Sequence, residues 1–251
     1  MRIFAVSDLH IEYKCNALWA SNLSSTDYRN DLLIFGGDVA DTLVKLEWGL
    51  KTLAHKFKQV LFVPGNHDLW VLREKETLDS LEKFRRIRAI AENCNVSTKP
   101  FHHGPVSIIP LLGWYDYSFG QPRKELHSIW RDFEACRWPN NFGLHDITSY
   151  FLELNESSLQ IRNQTVISFS HFLPRIDIMP SFIPHEKRIL YPALGTTLLE
   201  QQIRRLHSSL HVYGHTHVNQ QVVKEGVCYI NNAFGYPSET RITAKKLVRI
   251  A

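Results

Sequence analysis

The chain has 251 residues, of which 44% are apolar and 22% charged, enough for one well-filled core and short for two. Net charge is +4, from 29 basic against 25 acidic residues, too small an excess to argue for nucleic acid. No apolar run approaches the roughly 18 residues a membrane span needs. The four cysteines, Cys15, Cys94, Cys136 and Cys228, form no CxxC pair or disulfide framework and fit a reducing, cytoplasmic setting.

Short apolar runs recur along the chain. The first, residues 2–7, runs straight into the acid Asp8 and has the wrong shape for a signal peptide. It is followed by 31–36 "DLLIFG", 59–63 "QVLFV", 106–112 "VSIIPLL", 165–170 "TVISFS", 209–213 "SLHVY", 227–231 "VCYIN" and 241–250 "RITAKKLVRI". Several lack polar alternation, which predicts strands buried on both faces. Helical stripes separate them: Leu43, Leu46, Leu50, Leu53 and Phe57; Leu78, Leu81, Phe84, Ile87 and Ala91; Ile147, Tyr150, Phe151 and Leu154; Leu199, Ile203 and Leu206. The basic cluster Arg85, Arg86 and Arg88 follows Glu74, Glu76, Asp79 and Glu82 and reads as a solvated helix face. Strands alternating with helices predict an α/β layered fold, in one domain over residues 1–251. Two long segments hold no steady period, 114–146 and 172–193, and are expected to shape a substrate site.

Polar residues collect where the strands end. The first run leads into Asp8 and His10, the second through "GGD" to Asp38, and the third into "GNHD" with Asn66, His67 and Asp68. The 165–170 run ends at His171, and 209–213 leads into "GHTH" with His215 and His217. Ligands of α/β sheets gather beyond the carboxyl ends of strands, so these five clusters are expected to meet. Two aspartates, one asparagine and four histidines form an oxygen and nitrogen donor set without thiolate, suited to Mn, Fe or Zn, with Ni possible, rather than Ca or Mg. Seven donors exceed the needs of one ion and suit two, with Asp38 as the shared carboxylate because its glycine approach removes bulk beside the metals. If "DLH" and "HTH" are extended, their outer residues point to the same side. Of the other histidines, His102, His103, His127, His145, His185, His207 and His211 lack such a context and are expected to be structural or at the surface.

The set "DLH" 8–10, "GD" 37–38, "GNHD" 65–68, "SH" 170–171 and "GHTH" 214–217 resembles that of the calcineurin-like metallophosphoesterases, over Met1 to about Asn232. The resemblance implies a four-layered α/β sandwich, two mixed β-sheets flanked by helices. It implies that Asp8, His10, Asp38 and His217 hold one divalent ion and that Asp38, Asn66, His171 and His215 hold a second. It leaves His67 unligated beside the substrate, with Asp68 orienting it. Two ions about 4 Å apart activate a bridging hydroxide and clamp the oxygens of a phosphoester. His67, the motif imidazole not spent on metal, is then expected to assist the leaving group as an acid.

The protein serine/threonine phosphatases of this superfamily read GDxxDRG and GNHE at these places. Here "GDVADTL" puts Thr42 where a phosphate-binding arginine would stand, and Asp68 replaces glutamate. That disfavours a phosphoprotein and favours a small organic phosphoester, a diester over a monoester, because a dianionic monoester gains most from the missing guanidinium. Arg175, close after His171, is expected to supply the cation, with Arg123 or Lys124 as substitutes. Trp114 and Tyr115, with Tyr117 and Phe119, are expected to wall the substrate pocket, and Trp130 and Trp138 to cap it. "NNAFGYPSE" near the end reads as a turn supporting the site from behind, with no catalytic role. The competing readings are a nuclease on the same dimetal site, which would need a basic groove, a phosphomonoesterase or phosphoprotein phosphatase, and a scaffold that has lost catalysis. The last conflicts with an intact ligand set. Oligomeric state is not legible.

Overall fold

In the computed structural model, which describes residues 1–251, the apolar runs form two mixed sheets lying face to face. The elements of the first half are β1 (Ile3–Val6), α1 (Lys14–Asn22), β2 (Leu32–Phe35), α2 (Leu43–Ala54), β3 (Gln59–Phe62), α3 (Ser80–Asn93) and β4 (Val96–Ser97). The second half contains β5 (Phe101–His103), β6 (Val106–Pro110), α4 (Lys124–Ile129), α5 (Asp132–Ala135), α6 (Leu144–Glu153), β7 (Thr165–Phe169), α7 (Thr197–Arg205), β8 (Leu210–Tyr213), β9 (Gln220–Lys224), β10 (Val227–Asn231) and β11 (Val248–Arg249). One sheet has the order β11-β1-β2-β3-β4 and the other β5-β6-β7-β8-β10-β9. In each, a parallel centre carries antiparallel partners: β11 in the first, β5 and β9 in the second.

The period-2 geometry of a strand makes the layers. Ile3, Ala5, Leu32, Ile34 and Leu61 of the first sheet meet Ile108, Ile167, Phe169 and Val212 of the second in a core between the sheets. Their neighbours Phe4, Val6, Leu33, Phe35, Val60 and Phe62 point the other way, onto the helices, with Leu46, Leu50 and Leu53 of α2 and Leu81, Phe84 and Ile87 of α3. Both faces are therefore buried, which is why these strands read as unbroken apolar runs. The architecture is the expected four-layered sandwich.

Several local expectations change. The run 241–250 contributes only Val248–Arg249, an edge pair against β1. Helix α1 buries only Asn16 and Ala20 and so presents no apolar stripe to read. The segment 114–146 is not one loop: it folds into α4, α5 and the start of α6. Within 172–193 the chain makes 3₁₀ turns at Ile176–Ile178 and His185–Ala193. No helix is long and apolar enough to cross a membrane.

Because β1, β2, β3, β7 and β8 run parallel within their sheets, each sheet's polar termini emerge at one end. The two sheets are joined there: Ser7 bridges Ala233, and the Ser7 and Phe234 amides donate across the gap, at 3.1 Å to Asn232 O and 2.8 Å to Ser7 O.

Candidate metal centre

The residues that end the strands do meet. Asp8, His10 and His217 converge, as do His10, Asp38 and His67, and Asp8, Asp38 and His171. His10 Nε2 lies 3.3 Å from His217 Nε2, and His217 Nε2 lies 3.2 Å from Asp8 Oδ1. At the other end His171 Nε2 lies 3.0 Å from both Asn66 Oδ1 and His215 Nδ1. Asp38 stands between the two ends: its Oδ2 is 3.7 Å from His10 Nε2 and its Oδ1 is 3.6 Å from His171 Nε2.

The backbone that makes this possible is not extended. Asp8, His10, Asp38, His215 and His217 all have positive φ, between 43° and 66°, a region that disfavours residues with a Cβ. The "DLH" and "HTH" geometry expected from an extended chain is therefore replaced by tight turns. In "HTH" this sends His215 towards His171 and His217 towards Asp8, so the two histidines serve opposite ends of the site. Two main-chain bonds and one to a side chain hold the turns: Asp8 N donates to Gly37 O at 2.8 Å, His10 N to Asp38 O at 3.0 Å, and His215 N to the Asp8 carboxylate Oδ1 at 3.0 Å. Gly37 has φ +87°, and a Cβ there would sit 2.6 Å from Gly65 N and 2.8 Å from His171 Nδ1. The glycines of "GGD" and "GNHD" thus exist so that these two loops can touch.

The donor set fits cations. His171 Nδ1 lies 2.8 Å from Gly36 O and His215 Nε2 lies 3.1 Å from Ala193 O. Each ring donates its proton outward to a carbonyl, leaving a bare lone pair on His171 Nε2 and on His215 Nδ1. Those lone pairs face one another and the Asn66 carbonyl oxygen, three acceptors with no donor among them. Burial first, then neighbouring imidazoles, holds His10 and His67 well below the usual histidine range, and the same causes push His215 down to about 3. Neutral imidazoles are the form that binds metal. Burial followed by the charges of Asp8 and Asp68 pushes Asp38 up, so a cation beside it would stabilise the ionised form. His217 is the exception. Burial pulls it down, but Asp8 and Glu239, the latter 2.6 Å from Nδ1, raise it to about 9. A carboxylate behind a histidine in this way fixes its tautomer and strengthens it as a ligand. Together the groups offer two adjoining positions for divalent ions.

Three expected roles are not met. Asp68 does not orient His67. It is buried beneath the "GGD" turn, where it accepts the amides of Asp38 at 2.9 Å, Val39 at 2.9 Å, Ala40 at 3.0 Å and Gly65 at 2.8 Å. It organises the loop instead, and burial pushes it up to about 6 against those donors. Arg175 is remote from the cluster, tied up by Asp177, Glu200 and Glu225 at 2.6, 3.2 and 3.0 Å. Trp114 and Tyr115 are core residues, each 1% exposed; Trp114 packs on Trp138 and Phe172. Only Trp130 of the expected aromatics reaches the cleft.

A cavity of about 260 Å³ opens over the cluster, lined by Asp38, Asn66, His67, His215 and His217 together with Trp70, Trp130, Leu190, Leu194, Tyr236 and Glu239. Arg131 supplies its one guanidinium. His67 Nε2 faces this space, 3.3 Å from the Tyr236 hydroxyl and 3.9 Å from Asp38 Oδ2, while its main-chain N–H donates to Asp38 Oδ1 at 3.0 Å. Tyr236 and Glu239 belong to the "GYPSE" turn that reads as mere support. The acid beside a tyrosine in a glycine-proline turn is the one signal that could have marked it. Asp132 and Leu190 lie in the segments 114–146 and 172–193 expected to shape the site, and Trp70 follows "GNHD" by two residues, but no spacing singled out any of the three.

A family model for calcineurin-like phosphoesterases matches residues 1–219. An acyl-carrier-protein phosphodiesterase, PptH, of Mycobacterium tuberculosis is 27% identical over 270 residues, covering 95% of this chain and 79% of the relative. The crystal structure of the phosphopantetheinyl hydrolase PptH from that organism superposes with a TM-score of 0.83 at 24% identity, over 99% of this chain and 95% of the other. A purple acid phosphatase from yellow lupin (Lupinus luteus) seeds shares the fold at a TM-score of 0.53 and 10% identity, over 92% of this chain and 43% of its own.

Proposed function

Because the chain belongs to the calcineurin-like phosphoesterase family and is a dimetal-dependent hydrolase of phosphoester bonds, we propose that it cleaves a phosphodiester, with an acyl-carrier protein bearing a phosphopantetheinyl group as the substrate class. The observation that carries the diester is the cleft itself. Its walls are aromatic and aliphatic, and its single guanidinium, Arg131, is exposed at the rim. A dianionic monoester would call for a denser cluster of cations, whereas a monoanionic diester with two organic arms suits a single guanidinium and apolar walls. The carrier-protein substrate follows the name of the relative that spans 95% of this chain.

In this reading Asp8, His10, Asp38 and His217 hold one ion, and Asp38, Asn66, His171 and His215 the other. When bound, the ions supply an activated water and charge neutralisation for the phosphoryl oxygens. The chain does the rest. Glu239 holds the His217 ring through Nδ1, and Gly36 O and Ala193 O hold His171 and His215. Trp130, Leu190 and Leu194 exclude water from one arm of the ester, and Arg131 draws the phosphate to the rim. His67 carries a proton on Nε2 to the leaving oxygen. Burial and the neighbouring imidazoles favour its neutral form, and a bound phosphate anion offsets that, so the acid forms with the substrate.

The test is intact mass spectrometry of phosphopantetheinylated acyl-carrier protein incubated with Mn-loaded enzyme. Loss of the phosphopantetheinyl mass, with bis-p-nitrophenyl phosphate preferred over p-nitrophenyl phosphate, is the expected result. An enzyme that cleaves only the monoester and leaves the carrier protein intact would refute the reading.

A further inference from the structure

Asp132 is only 3% exposed and sits at the start of α5 with no cation at its carboxylate. Instead it collects three neutral N–H donors: Asn66 Nδ2 at 2.8 Å and Trp70 Nε1 at 2.6 Å on Oδ1, and Trp130 Nε1 at 2.9 Å on Oδ2. A buried carboxylate is costly, and three charge-assisted bonds are what stabilises it here. Each donor leads to the centre. Asn66 turns its Oδ1 towards His171, Trp70 lies against His67 at 3.6 Å between ring centroids, and Trp130 meets His215 edge-on at 5.5 Å.

We infer that Asp132 is a positioning residue that selects which end of the Asn66 amide faces the metal and, through the two indoles, sets the His67 and His215 rings. The inference rests on the assignment of Asn66 as a ligand. An amide is nearly symmetric in shape, and its two ends differ only in what they bond. With an obligate acceptor behind it, Nδ2 is fixed on Asp132 and the carbonyl oxygen must face His171 and the cation. Without that acceptor the amide gains a second orientation that aims an N–H at the ion. The segment is itself fastened to the loop it controls, since Val71 N donates to Ala135 O and Ser80 N to Arg137 O, both at 2.7 Å.

The experiment titrates metal-stripped protein with Mn²⁺ by calorimetry. Asp132→Asn should weaken one of the two ions about 10- to 100-fold and leave the other unchanged. The exchange Asn66→Asp with Asp132→Asn keeps the charge and restores the donor–acceptor pair between the two positions, while Trp70 Nε1 loses its acceptor, so it should recover most but not all of the lost affinity. Two of the six tryptophan indole N–H signals should shift in the ¹H–¹⁵N spectrum of Asp132→Asn. Unchanged affinities in Asp132→Asn would overturn the inference, as would an equal loss of both ions that the exchange does not repair. Asn66→Ala separates the two layers. If it leaves both affinities intact, the ligand assignment fails and the inference with it; if it weakens one ion while Asp132→Asn does not, only the positioning inference fails.

Discussion

Trp70 lies nearly flat on the His67 imidazole, with ring centroids 3.6 Å apart and planes inclined by 26°. The indole closes one face of the ring and leaves Nε2 directed at the cleft, beside Tyr236 and Asp38. An imidazole held this way keeps one edge open for proton transfer.

His67→Ala should therefore keep both metals and lose on the order of 10²- to 10⁴-fold in turnover on an ester with an alkoxide leaving group. The loss should shrink on bis-p-nitrophenyl phosphate, whose p-nitrophenolate departs with little need of a proton. Equal losses on both substrates would show that His67 acts on the phosphoryl oxygens and not on the leaving group.

Asp38→Asn should lower the occupancy of both ions, because Asp38 stands between His10 and His171 at 3.7 and 3.6 Å. Elemental analysis should give close to two equivalents in the parent chain and well under that in the variant. Retention of one full equivalent would mean that Asp38 serves a single ion.

The two arginines should behave oppositely. Arg175→Ala removes pairs to Asp177, Glu200 and Glu225 in a side chain only 14% exposed, so stability should fall by about 1–2 kcal/mol, discounted for the exposed partners, with kcat/KM unchanged. Arg131→Ala should raise KM for the diester several-fold, with stability unaffected, since its one pair, with Glu134, is long at 3.9 Å and exposed. Urea unfolding alongside steady-state kinetics decides both; a kinetic defect in Arg175→Ala would return that residue to the site.

Acid should weaken the fold through His211. It is buried between Ser168 Oγ at 2.8 Å and Ser170 Oγ at 3.0 Å, and burial holds its pKa at about 3. A histidine in the unfolded chain titrates near 6.5, so between these values the unfolded state binds more protons. The contribution is thus complete above about pH 6.5 and declines as pH falls towards about 3, by about 2 kcal/mol from pH 6.5 to 5. His211→Gln, with nothing to titrate, should show a shallower dependence of unfolding free energy over that interval. A slope equal to that of the parent chain would place the sensitivity elsewhere.

The sequence alone determined the layered fold and marked out seven candidate donors, and both for local reasons. A strand buried on two faces must be apolar throughout, and "GGD", "GNHD" and "GHTH" compress turn, glycine and donor into a few residues. Tertiary structure alone decided what stands behind and around those donors. Asp68 faces four backbone amides because "GNHD" curls beneath "GGD", a contact set by how two loops pack. Arg175 is close to His171 in sequence yet pairs with its near neighbour Asp177 and, across the chain, with Glu200 of α7 and Glu225 of the β9–β10 turn. Tyr236, Glu239 and Asp132 reach the centre from a supporting turn and a site-shaping segment in which no spacing singled them out, because a single side chain can complete a site wherever packing delivers it. Periodicity and spacing report on neighbours along the chain, whereas the partners of a buried charge are chosen across it.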